Sequence, residues 1–88
     1  MNNPIKYNAF LIGVENDKLK IEHEESGQSL TMSLDNAVKL AHGKTITTWE
    51  GKAISYDHSR LNIFGKEHAV SAIFAWTIEK IVRGTLGL

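Results

Sequence analysis

The segment EHAVSAIFAWTIEKIVR, Glu67 to Arg83, is the longest stretch of this sequence with the periodicity of a helix. At about 100° per residue, one face carries a mostly apolar stripe of the kind that packs on a sheet. The stripe consists of Val70, Ile73, Phe74, Thr77, Ile78 and Ile81. Glu67 near the start and Lys80 and Arg83 near the end complement the helix dipole. The spacing predicts a long C-terminal helix over 67–83, which Gly84 ends.

Trp76 lies on the back of this predicted helix, roughly opposite Phe74 and Ile78. The same side of the predicted helix also carries Ala69, Ala72 and Arg83. A solvated helix face is usually more polar, so the pattern indicates burial on two sides. Two interpretations remain open: either the tail at Leu86 or Leu88 folds over Trp76, or Trp76 contacts a partner.

The first half of the chain predicts three strands and a short helix. Ile5 to Glu15 is aromatic and β-branched, with apolar residues on both faces, and predicts one strand. After the turn at Asn16-Asp17, the alternating segment Leu19 to Glu24 predicts a half-exposed strand, and Ser29 to Ser33 predicts a third. Ser33 to Gly43 has helix signals at both ends and an apolar stripe of Leu34, Ala37, Val38 and Ala41.

The second half predicts strands over Lys44 to Trp49, Ala53 to Tyr56 and Leu61 to Phe64, followed by the long helix. The expected fold is therefore α+β, with the order βββα-βββα. About five or six short strands would form a mostly antiparallel sheet covered on one face by two helices. The two halves can be laid over each other, although their residues hardly match.

Size and charge reduce the number of function classes that fit this chain. The length of 88 residues and the hydrophobic content of 42% predict a single domain over 1–88. Ten basic and ten acidic residues give a net charge of zero, which argues against an overall basic surface for nucleic acid. No apolar run has membrane-spanning length, and the N-terminus does not resemble a secretory signal, so we expect a cytoplasmic protein without a membrane role.

Motifs for catalysis, metals and cofactors are missing. The four histidines lack ligand spacing and there is no cysteine, so no metal site is predicted. Asp57-His58-Ser59 has the residue types of a hydrolytic triad, but consecutive turn residues seldom point at one another, and an ordinary polar turn is the simpler interpretation. Phosphate-binding glycine loops are absent as well, so we expect no cofactor and no enzymatic activity.

An acidic ridge is the second candidate contact surface. Glu22 and Glu24 stand on the exposed face of a predicted strand, where they could attract a basic partner. Lys20 belongs to the same ridge and weakens its negative field. The plain alternative is a solvated strand face whose charges prevent edge-to-edge pairing.

Three functions follow, of which the sequence favours a small protein-binding module, an inhibitor or regulatory adaptor. Its contact residues would be Trp76, Ala69, Ala72, Arg83, Glu22 and Glu24, with another protein or a second copy as the partner. Inhibitors made by phages and mobile elements, such as anti-CRISPR proteins, share this size and neutral charge. A second hypothesis is nucleic-acid binding through Lys6, Lys18, Lys20, Lys44, Lys52 and Arg60. A third is an enzyme or small-ligand binder with Tyr56, Asp57 and His58 at its site.

Overall fold

The computed structural model describes residues 2–48 and 51–87 and confirms an α+β fold. It contains two antiparallel four-stranded sheets, each followed along the chain by one helix. The first half consists of β1 (Asn2–Tyr7), β2 (Phe10–Glu15), β3 (Lys18–His23), β4 (Ser29–Met32) and α1 (Leu34–Ala41). The second consists of β5 (Ile46–Thr47), β6 (Ala53–Tyr56), β7 (Arg60–Ile63), β8 (Lys66–Ala69) and α2 (Ala72–Leu86). The order is thus ββββα-ββββα, with more strands than expected and two sheets in place of one.

The single strand predicted over 5–15 is wrong, because the chain reverses direction in its middle. Asn8 has φ 51°, a left-handed conformation that asparagine tolerates better than most residues. Tyr7 consequently pairs with Phe10, and β1 and β2 form a hairpin. The apolar residues on both faces of the segment belong to two antiparallel strands.

The predicted start of the C-terminal helix is also wrong, since 66–69 form β8. Phe64 and Gly65 have φ 57° and 71°, the geometry of a two-residue hairpin turn, and Ile63 pairs with Lys66 across it. Glu67 therefore lies on a strand, where its carboxylate accepts a hydrogen bond from Arg60 at 3.2 Å. Pairing with β7 outweighs the helical pattern of these residues.

The bounds of α2 are defined by caps on both sides. Ser71 caps the first turn, and its side chain accepts a hydrogen bond from the Ile73 amide at 3.3 Å. The helix continues past Gly84 and ends at Gly87, which has φ 75° and takes the left-handed C-cap position. Gly84, predicted as the stop, is thus an interior helix residue.

The short helix predicted over 33–43 is confirmed as α1. Ser33 accepts a hydrogen bond from the Asn36 amide at 3.1 Å, and Gly43 has φ 85° after the last turn. The predicted apolar stripe omitted Leu40, which is completely buried. β5 is shorter than the predicted strand over 44–49, and Trp49 lies outside the described residues.

One hydrophobic core joins both halves. α1 packs against α2, α2 contacts β2, and α1 contacts β3, β5 and β6. The start of α2 is held from both halves: the Ser71 amide donates to the Tyr7 hydroxyl at 2.9 Å, and the Tyr56 hydroxyl donates to the Ser71 carbonyl at 2.8 Å. The orientation of α2 on the two sheets is thereby defined at its first turn.

Neither helix in the described part of the chain is long and apolar enough to cross a membrane.

Candidate functional site

Trp76 stands out on the surface of α2, with 74% of its area exposed. Its position on the helix explains this exposure. Phe74 and Ile78 are completely buried against the sheets, and Trp76 projects from the opposite side of the helix at about 100° per residue. Residues up to 87 therefore leave the ring open to solvent, and Leu88, the other residue expected to cover it, lies outside the described residues. Leu86, expected as a cover, is itself 57% exposed.

Ile73 extends this apolar surface, although the sequence predicted it to be buried. It is 59% exposed, because the buried arc of α2 also includes Ala75 and Val82 and is therefore rotated away from Ile73. Among the described residues, every large apolar side chain that is exposed lies on α2. We define the outer face of α2 as Ala72, Ile73, Trp76, Lys80 and Arg83.

Two depressions flank Trp76, which contributes to the lining of both. The first measures about 420 Å³ and lies between α1 and α2; besides Trp76, it is lined by Ala41, His42, His58, Ala72, Ala75 and Glu79. The second measures about 540 Å³ and is lined by Trp76, Glu79, Lys80, Arg83 and Gly84. The indole thus forms a ridge with room for another molecule's side chains on either side.

The charges on this side of the helix are unevenly placed. Glu79 lies 3.3 Å from the Nε2 atom of His42, so its carboxylate is directed towards α1. Lys80 and Arg83 are exposed and have no ion-pair partner within residues 2–48 and 51–87. Asp17 shares a separate shallow depression with Lys80 without forming an ion pair with it. The C-terminal half of the outer face is therefore basic.

Only part of the predicted contact set comes together. Trp76, Ala72 and Arg83 share the outer face, whereas Ala69 lies on β8 and is exposed there. Glu22 lies on β3, and Glu24 lies in the following turn with its carboxylate 3.5 Å from the amine of Lys6. Neither glutamate lies on α2 or lines either depression beside Trp76, and a lysine offsets the charge of Glu24.

Tyr56 and His58 are in ring contact, with centroids 5.0 Å apart, whereas the Asp57 carboxylate is bound by the turn that follows it. The Asp57 carboxylate accepts hydrogen bonds from the Ser59 amide and hydroxyl, both at 3.0 Å, and from the Arg60 amide at 2.8 Å. These bonds lower the pKa of Asp57, with the Ser59 amide as the largest cause. The Tyr56 hydroxyl donates a hydrogen bond to the Ser71 carbonyl, and burial raises the pKa of Tyr56. His58 lines the depression between the helices, and neither Tyr56 nor Asp57 does.

The cations proposed for nucleic acid are scattered, and several are paired. Lys6 lies 3.5 Å from Glu24, and Lys20 lies 3.3 Å from Glu15. Arg60 is bound to Glu67 on the outer side of the second sheet. Three of the six proposed cations are therefore offset by a carboxylate.

A histidine pair between the sheets was missed by the sequence analysis. The rings of His23 on β3 and His68 on β8 have centroids 5.3 Å apart, and Phe10 packs against both at 5.2 and 5.1 Å. The Nδ1 atom of His23 is hydrogen-bonded to the Ser26 hydroxyl at 2.8 Å. No sequence spacing brings 23 and 68 together, because their contact exists only once the two halves pack. No group of three or more metal-ligating side chains occurs in the part of the chain that the structure describes.

Burial of the His68 ring lowers its pKa, and the charges of His23 and Lys66 act in the same direction, while Glu25 opposes them. In the unfolded chain, His68 takes up its proton near pH 6.5, whereas in the folded protein it does so at a lower pH. The stability that neutral His68 contributes is therefore fully present above the unfolded pKa. It is lost as the pH falls towards the folded value.

We expect the free energy of unfolding to fall as the pH is lowered from about 8 to about 5.5, above the range in which ordinary carboxyl groups titrate. Urea titrations at several pH values measure this slope. His68→Phe keeps a ring against Phe10 without a titrating group and should flatten the slope. Lys66→Gln should flatten it partially, because it removes one cause of the lowered pKa. A slope unchanged in His68→Phe would contradict this assignment.

Comparisons of the chain with protein-family models, with curated proteins and with solved structures found no significant match, so the candidate site rests on its own geometry.

Proposed function

We propose that this chain is a non-enzymatic protein-binding module, an inhibitor or regulatory adaptor, whose contact surface is the outer face of α2. The observation that carries the proposal is the indole of Trp76, exposed to 74% on a helix whose other side is locked into the core. Tryptophan is among the residues most enriched where binding energy concentrates in interfaces.

The rigidity of the support favours recognition. Phe74 and Ile78 are completely buried, and Ser71 is bonded to tyrosines from both halves, so α2 presents Trp76 in a defined orientation. A preorganised surface loses less conformational entropy on binding than a mobile one. Ala72, one turn before Trp76, is small enough for another backbone to approach closely.

Contact area is available on both sides of the indole. The depressions of about 420 and 540 Å³ that flank Trp76 can receive side chains of the partner. Covering Trp76 and Ile73 together removes two large apolar side chains from water, which favours association by the hydrophobic effect.

The test is affinity capture with the immobilised protein from an extract of the organism that encodes it, followed by titration with the purified partner. Trp76→Ala is expected to weaken the complex by about 2 kcal/mol or more, roughly thirtyfold in Kd, because it removes the central apolar contact. The circular dichroism spectrum and the midpoint of thermal unfolding should remain those of the wild type, since the ring has few contacts within the fold.

Two further variants delimit the surface. Combining Trp76→Ala with Ala72→Glu should abolish the complex, because a carboxylate is then placed against the partner's apolar surface. Lys52→Ala, exposed and outside both depressions, should leave the affinity unchanged. A partner that binds Trp76→Ala as tightly as the wild type would refute the proposal.

A further inference from the structure

We propose that the partner is an acidic segment of a different protein, with an apolar side chain packed on Trp76 and carboxylates against Lys80 and Arg83. This inference rests on the proposed function and specifies the chemistry of its partner. Its basis is the charge distribution along the outer face of α2.

The outer face is divided into an apolar and a basic half. Ala72 and Ile73 precede Trp76, whereas Lys80 and Arg83 follow it by four and seven residues. At about 1.5 Å per residue, these cations lie roughly 6 and 10 Å further along the helix. All three side chains point to the same side of the helix, within about 60° of one another on the helical projection.

Asp17 shares a depression with Lys80, but within the described protein no carboxylate pairs with either cation of the basic half. Lys80 and Arg83 form no ion pair within the described ranges, and the carboxylate of Glu79 is directed towards His42. A carboxylate supplied by a partner would meet positive charge beside an apolar surface, where ion pairs are screened less than in open solvent. Such complementarity selects the partner and accelerates the encounter.

A second copy of the chain fits this face poorly. In a two-fold antiparallel contact centred on Trp76, Lys80 of one copy would face Ala72 of the other, near a helix N-terminus that is itself partially positive. No acidic residue lies in the first turn of α2. In a two-fold parallel contact, Lys80 and Arg83 would face their own equivalents. Both symmetric arrangements place positive charge against positive or neutral groups.

Single-stranded nucleic acid is the other class of partner that binds to an exposed tryptophan with nearby cations. The face supplies only Lys80 and Arg83, while Lys6, Lys20 and Arg60 are paired elsewhere. Two cations beside an apolar surface fit a short acidic peptide segment better than a continuous phosphate backbone.

The test uses selection from a display library of random peptides, with the wild type as bait and counter-selection on Trp76→Ala. We expect enriched peptides in which an apolar or aromatic residue is flanked by aspartate or glutamate. Their affinity should fall as salt is added. Lys80→Glu combined with Arg83→Glu should weaken binding at least tenfold, because attraction becomes repulsion.

Matched variants separate charge from folding. Lys80→Gln with Arg83→Gln removes the positive charges without adding negative ones near the helix C-terminus, and it should weaken binding by a smaller factor. Lys52→Glu with Lys66→Glu reverses two exposed lysines outside both depressions and should leave peptide affinity unchanged.

The outcomes distinguish this inference from the function on which it rests. Trp76-dependent peptides without acidic residues, or peptides indifferent to Lys80→Glu with Arg83→Glu, would overturn the acidic partner and leave the binding face intact. Concentration-dependent self-association in sedimentation velocity that Trp76→Ala abolishes would overturn it in favour of a second copy. Tight binding of a labelled single-stranded oligonucleotide that requires Trp76 would overturn the acidic partner in favour of nucleic acid. Failure to enrich any Trp76-dependent peptide, together with an equal capture pattern for wild type and Trp76→Ala, would refute the proposed function itself.

Discussion

Replacing Phe74 by alanine is expected to lower the free energy of unfolding by about 3–5 kcal/mol. The Phe74 ring is completely buried and packs against Tyr56 and Tyr7, with centroid distances of 4.9 and 6.0 Å. Its loss leaves a cavity where α2 meets strands of both sheets. Small domains are stable by only about 5–15 kcal/mol, so this loss is a large fraction of the total, and the variant should unfold at a lower temperature and in less urea than the wild type. Urea unfolding followed by circular dichroism at 222 nm measures the change.

Ile73→Ala is the matched control on the adjacent residue of the same helix. The sequence pattern placed both side chains in one buried stripe, whereas the structure leaves Ile73 59% exposed. Its truncation should cost roughly 1 kcal/mol or less, since little apolar area returns to water and alanine favours the helix. Equal losses in the two variants would contradict the rotation of the buried arc described above.

Leu40→Ala is expected to destabilise the protein by about 2–5 kcal/mol, the range found for buried leucines. Leu40 is completely buried on the side of α1 that contacts α2 and the sheets. Because several elements enclose this position, the cavity cannot close by movement of one side chain, which places the expected cost high in the range. The midpoint of urea unfolding and its slope give the free energy, and an unchanged slope would show that the two-state transition is retained.

Leu34→Ala tests the same chemical change at the first residue of α1. Leu34 is only partly buried, so its truncation should cost less than half as much as that of Leu40. The apolar stripe predicted from the sequence contains Leu34 and lacks Leu40. If Leu34→Ala were the more damaging variant, the orientation of α1 in the structure would be wrong.

The candidate site could be predicted from the sequence in part. Trp76, Ala72 and Arg83 follow from helical periodicity, because residues four and seven apart share a helix face whatever the helix packs against. Ile73 and Lys80 were not included, since their exposure depends on which arc of α2 the sheets cover. Ala69 was assigned to this surface because the helix was extended backwards through what is the edge strand β8.

The sequence by itself determined the α+β class, the short helix α1, the turn at Asn16-Asp17 and the long C-terminal helix. Each of these depends on local periodicity and on the backbone preferences of a few residues. Tertiary structure alone decided the number of sheets, the reversal at Asn8, and the exclusion of 66–69 from α2. It also brought together His23 and His68, and it left Trp76 in solvent. The number of sheets, the histidine contact and the exposure of Trp76 depend on packing between residues far apart in the chain. At Asn8 and in β8 the deciding contacts are hairpin pairs between neighbouring segments. The periodicity of one segment does not show whether such a pairing has the lower free energy.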